Sequence, residues 1–153
     1  MTGPSLLVLH HGACPRTWTR AEVEWVHLAR GFRDVGYHDL IRQPTDRDPV
    51  QIILGRPYDL DEVWEPWEYG AHARGNNRVS YGVCLIGNFH EERLPDPMLR
   101  AAVDLFAVAC RRWGLDERAV KGHKELSATA CPGKHVDLEY LRVAVRQRLI
   151  VHA

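Results

Sequence analysis

His123 and Cys131 stand 131 − 123 = 8 positions apart in the stretch KGHKELSATACPG, Lys121 to Gly133. An imidazole nitrogen and a thiolate sulfur are donors of the kind a zinc ion takes. Between them lie Ser127, Ala128, Thr129 and Ala130, small and polar residues that predict an irregular loop rather than a helix. Pro132-Gly133 closes the stretch as a turn signal. Such a loop can fold back and aim both donors at one point. Two donors do not make a site, however. The candidate third lies more than a hundred residues upstream, in LLVLHHGAC, Leu6 to Cys14.

The elements that must position these donors follow from hydrophobic patterning. Leu6 to His10 reads as a buried strand of continuous aliphatics, with a loop from His11 to Pro15. Thr19 and Glu22 have capping-box spacing and predict a helix to about Val35, with Trp25, Leu28, Ala29 and Phe32 on its core face. Tyr37 to Ile41 and Val50 to Leu54 predict short strands, separated by a proline-flanked turn. The segment Asp59 to Gly75 carries Trp64, Trp67, Tyr69 and His72 and reads as a long functional loop. Arg78 to Phe89 is β-prone throughout and predicts the central strand. Asp96 to Trp113 predicts a long helix, capped by Asp96 and ended at Gly114, with Leu99, Val103, Phe106 and Cys110 as its core stripe. A short strand, Ala119 to Gly122, leads into the donor loop, and Asp137 to Leu149 predicts a last amphipathic helix. The fold class expected is α/β: a central mixed β-sheet flanked by helices, in one domain spanning residues 1–153.

The chain has 153 residues, 45% hydrophobic and 26% charged, and its 20 basic residues equal its 20 acidic ones. That balance argues against a nucleic-acid partner, which calls for a basic excess. The longest apolar run, LLVL, is far too short to cross a membrane. The opening residues MTGPS lack the basic start and apolar core of a signal peptide, so the expectation is synthesis in the cytoplasm as a monomer. In a leaderless chain, Cys14, Cys84, Cys110 and Cys131 are expected as free thiols or metal ligands.

Four blocks, VLHHGA, DVGYHDLI, GAHARGNNRVSYGVCLIGNF and GHKELSATACPG, resemble in order and spacing the zinc-dependent N-acetylmuramoyl-L-alanine amidases. That family includes phage endolysin amidases and the peptidoglycan recognition proteins, and the resemblance runs from about Leu6 to Leu149. It implies a mixed sheet with helices packed around it, and cleavage of the amide between the lactyl group of N-acetylmuramic acid and L-alanine of the peptide stem. It also implies His10, His123 and Cys131 as ligands of one zinc ion, whose open position marks a catalytic rather than a structural site. Tyr37 matches the family tyrosine beside the metal and would hydrogen-bond the attacking water or the developing oxyanion. Thr129 stands where many phage members have a lysine, so this position brings a hydroxyl without a charge.

Other residues keep two readings. His11 and His38 fit packing or support of the ligands, and Cys14 is a rival ligand near His10. His72 is expected in the substrate groove. Asn77 would bind the stem or cap a turn, and Trp67 would stack on sugar or cover the core. The function expected is hydrolysis of peptidoglycan by a phage-type endolysin, released from the cytoplasm to reach the cell wall. The alternatives are a non-catalytic recognition module and a cytosolic amidase recycling muropeptides. Family members of the recycling kind have aspartate where this chain has Cys131, and non-catalytic members lack a metal ligand.

Overall fold

The computed structural model describes residues 3–151. Five strands form one sheet in the order β3-β2-β4-β1-β5: β1 (Leu6–His11), β2 (Asp39–Arg42), β3 (Gln51–Leu54), β4 (Ser80–Leu85) and β5 (Val120–Gly122). β1 runs parallel to both β4 and β5, β2 runs parallel to β4, and only β3 is antiparallel. Three helices, α1 (Arg20–Ala29), α2 (Asp96–Trp113) and α3 (Leu138–Val151), flank it. The mixed sheet with helices around it is the architecture the patterning predicts, and β4 is indeed the middle strand.

Side chains of opposite parity serve opposite faces. Leu7 and Leu9 of β1 join Tyr81, Val83 and Leu85 of β4 in a large core with Val103, Phe106 and Cys110 of α2 and Leu141 and Val145 of α3. The other face carries a smaller cluster, in which Leu40 and Cys84 meet Val23 of α1 with Cys14, Val35 and Ile86. Burial on both faces explains why β1 is a continuous aliphatic run rather than an alternating one. His10 has the parity of the smaller cluster and pairs in register with Cys84.

α1 departs from expectation in length and in the face it buries. It ends at Ala29, and Gly31 follows at φ 89°, a left-handed conformation that stops a helix. Its buried residues are Val23 and His27, four apart, whereas Trp25 is 73% exposed and Leu28 is exposed as well. The stripe through Phe32 required a longer helix. With the turn at Gly31, Phe32 lies in the loop and packs edge-on against His27 instead, at 5.2 Å between ring centroids. The cap of α2 is also shifted: Pro95 is the N-cap and Asp96 the first helical residue.

Candidate metal centre

His10, His123 and Cys131 converge, with one donor atom from each lying within 4.8 Å of the others. Cys131 Sγ is 3.7 Å from His10 Nδ1. Zinc bonds of about 2.3 Å to sulfur and about 2.0–2.1 Å to nitrogen at a tetrahedral angle put the two donors about 3.6 Å apart, so this donor set fits such an ion. The rings of His10 and His123 lie 4.7 Å apart. His11 takes no part, because alternation along β1 turns it to the other face, where its Nδ1 accepts from the Phe89 backbone N–H at 3.0 Å. Cys14 is buried in the smaller cluster and stands outside the donor group.

Each donor is held by local structure. His10 belongs to β1, between β4 and β5. His123 follows β5 directly, and Gly122 pairs in register with Leu9, which brings the two histidines side by side. The loop to Cys131 is closed by Lys124 N–H donating to the Cys131 carbonyl at 2.7 Å. Arg142 of α3 braces its start, donating to Glu125 Oε1 at 2.9 Å and to the Val120 carbonyl at 3.1 Å. At its end Gly133 has φ 107° and lies against the backbone after β4, where an added Cβ would come within 2.3 Å of Phe89. The His11 backbone N–H points at Cys131 Sγ at 3.4 Å, a donor suited to a thiolate.

Burial lowers the pKa of His10 well below 6.5, helped by His72 and His123, and burial lowers that of His123 too. Both imidazoles are therefore neutral at pH 7, as metal ligation requires. Burial pushes the Cys131 thiol up to about 11, opposed by the His11 N–H. Tyr37 lies 5.1 Å from His10, centroid to centroid. Burial, with Cys84 and Cys131 nearby, raises its phenol well above 10. Tyr37 is thus protonated at neutral pH. Thr129 Oγ1 accepts from the Cys131 N–H at 3.2 Å, which leaves its own proton free for the cavity.

A cavity of about 690 Å³ opens over these groups. Its lining includes Arg30, Arg74, Asn88 and His90 and, among the described residues, no carboxylate. His72 lines it but is only 8% exposed, with Nδ1 2.8 Å from His10 Nε2. It backs His10 rather than forming an open groove wall. Asn77 also lines the cavity, yet its Oδ1 accepts from the backbone N–H groups of His72 and Ala73 at 2.9 and 2.8 Å. Its carbonyl end caps a turn. Trp67 does not line this cavity: it sits in a short 3-10 turn, Pro66–Glu68, with Nε1 donating to Glu65 at 2.8 Å.

Arg56 and Glu68 escaped the sequence reading. Arg56 donates to the carbonyls of Asp34, Val35 and Tyr69 and so ties down the turn that presents Tyr37. Glu68, fully buried, accepts from the backbone N–H groups of Asp59 and Glu65 at 2.9 and 2.8 Å. Both are charged residues outside the main helices and strands, a type that composition assigns to the surface. Glu68 stands three residues after Glu65, and no spacing rule marks it as buried.

The sequence pattern of the family described as N-acetylmuramoyl-L-alanine amidase matches residues 1–134. Peptidoglycan-recognition protein SC1a of Drosophila melanogaster is 30% identical over 141 residues, 86% of this chain and 69% of its own length. N-acetylmuramoyl-L-alanine amidase of Sus scrofa is 40% identical over 130 residues, 83% of this chain but 21% of that protein. Among solved structures, the endolysine N-acetylmuramoyl-L-alanine amidase LysCS from Clostridium intestinale URNW superposes with a TM-score of 0.77 at 27% identity, covering 93% of this chain and 83% of that one.

Proposed function

Since the chain belongs to the N-acetylmuramoyl-L-alanine amidase family, we propose that it is a zinc enzyme hydrolysing the amide between N-acetylmuramic acid and the L-alanine that begins the peptidoglycan stem. One observation carries this: the donor set of two imidazoles and one thiol is complete and opens on a cavity. Structural zinc sites use four protein ligands, and catalytic sites use three. A recognition module that only binds would not need all three.

When bound, zinc supplies a Lewis acid that polarises the scissile carbonyl and makes water a better nucleophile. The remaining work falls to the chain. The Tyr37 hydroxyl, held protonated by burial, donates to the oxygen that gains charge as the carbonyl is attacked. Thr129 offers a second hydroxyl proton beside Cys131. Both are neutral donors aimed at developing negative charge, which is where a fixed dipole is most effective. Arg30 and Arg74, with no opposing carboxylate in the lining among the described residues, suit the carboxylates of a stem peptide. They hold the substrate by a part remote from the reacting bond.

The likeness to an endolysine supports a lytic role, with the protein made in the cytoplasm and acting on the bacterial wall after release. Digestion of purified peptidoglycan, followed by mass analysis of the soluble products, tests the reading. Free stems beginning at L-alanine are expected, their release stopped by a zinc chelator and restored by zinc. Wall binding without new amino termini would assign the protein to recognition instead, and full activity in metal-free protein would remove zinc from the mechanism.

A further inference from the structure

His72 has surroundings that admit one pattern of protons. Its Nδ1 is 2.8 Å from His10 Nε2, its Nε2 is 3.3 Å from Ser80 Oγ, and Ser80 Oγ is 2.7 Å from the Asn76 carbonyl oxygen. His10, His72 and Ser80 are all buried. A carbonyl oxygen only accepts, so the Ser80 hydroxyl proton is committed to Asn76. Ser80 Oγ then faces His72 with a lone pair, and His72 Nε2 must be the donor. No carboxylate among the described residues hydrogen-bonds either ring, so a second proton would make an unpaired buried cation. With its one proton at Nε2, His72 accepts at Nδ1, and His10 donates from Nε2. The His10 lone pair is left at Nδ1, the atom that faces Cys131 Sγ at 3.7 Å.

We propose that His72 and Ser80 are positioning residues that lock His10 in the tautomer whose lone pair faces the metal position, and thereby set how tightly the site holds zinc. The backbone is shaped around this chain of hydrogen bonds. A Cβ at Gly82 of β4 would lie 2.7 Å from three atoms of the His72 ring, and one at Gly70 would lie 2.4 Å from its Cδ2. The ring therefore rests on bare backbone, where any side chain would push it off. Asn77 completes the seat by taking the N–H groups of His72 and Ala73. Such partners behind a metal ligand usually change affinity by ~10–100-fold.

The inference rests on His10 as a zinc ligand and not on which bond the protein cleaves. Nitrogen-detected imidazole NMR of the folded, metal-free protein reads the tautomer, and competition with a chromophoric chelator reads zinc affinity. His10 is expected to carry its proton at Nε2 alone. His72→Ala should weaken zinc by ~10–100-fold, while His72→Asn, whose amide oxygen can stand where Nδ1 was, should recover most of it. Ser80→Ala, which removes only a hydroxyl, should weaken zinc less and leave His10 in a mixture of tautomers; it also serves if His72→Ala does not fold. Parental zinc affinity in His72→Ala, a single unchanged His10 tautomer in Ser80→Ala, or a His10 protonated at Nδ1 in the parent would each overturn the proposal. A parent that binds no zinc would refute the ligand assignment itself, and the NMR result would still judge the hydrogen-bond chain.

Discussion

Tyr37→Phe separates chemistry from architecture, because it removes one oxygen and leaves the ring that packs against His10 and His27 at 5.1 and 5.2 Å. In the folded, substrate-free protein that hydroxyl lies near the Cys84 and Cys131 sulfurs. Removing that one oxygen while keeping the packed ring should change stability by about 1 kcal/mol or less. In the proposed transition state the same proton faces the charge that develops on the scissile oxygen. Removing one preorganised donor of this kind typically costs ~10²–10³ in turnover. The variant should therefore keep its zinc and its melting temperature and lose about two orders of magnitude in rate. The sign of the pH dependence follows from the same site. Burial holds the phenol protonated well above its ordinary pKa of 10, so it does not titrate near neutrality, and the variant's pH–rate profile should be lowered without changing shape. Stem release from purified peptidoglycan, zinc content and thermal melting are the three measurements. Turnover close to the parent's would reduce Tyr37 to packing, and a rate loss that merely follows zinc loss would refute the donor role.

His10→Ala should lose zinc and activity together. His11→Ala should keep the metal, because the N–H that serves Cys131 belongs to the backbone, while melting lower from the unpaired Phe89 N–H, by about 1–3 kcal/mol; a metal-free His11→Ala protein would show that the ligand has been misassigned by one residue. Thr129→Lys brings a cation to the cavity mouth and should keep zinc with turnover equal to or above the parent's, so zinc loss in elemental analysis would mean that the hydroxyl's hold on the Cys131 N–H is indispensable. Burial lowers His38 to about 4; the unfolded chain binds a proton between about 6.5 and 4 that the folded chain refuses, so stability falls as pH drops through that window, by on the order of 3 kcal/mol once below it. His38→Asn should flatten part of that acid slope in melting experiments, and an unchanged slope would mean that other groups carry it.

The metal centre was legible because its donors are rare residue types at the ends of strongly patterned segments. β1 is marked by aliphatics, and the Cys131 loop by small residues and Pro132-Gly133. The strands and α2 were legible for the same reason, since period and length agree. The face of α1 was not, because Trp25 looks like a core residue and is 73% exposed, whereas His27, which accepts from the Gly36 N–H at 2.8 Å, looks like a surface one. The loop before β4 hid most. Its order depends on Arg56 and Glu68 bonding to backbone groups, and backbone groups have the same chemistry whatever the sequence. His72 was visible as a cavity residue but not as the partner of His10, a relation set by the glycines beneath its ring.

The strand order also governs timing. β1 leaves the ribosome before the other strands, yet both of its neighbours, β4 and β5, come later in the chain. His10 cannot be seated until β4 has been made, and it has no companion donors until His123 and Cys131 have emerged. A nascent chain ending within β5 holds one of the three donors and cannot assemble the site. The three donors of the proposed metal site thus come together late and all at once, only after the last of them, Cys131, has been made.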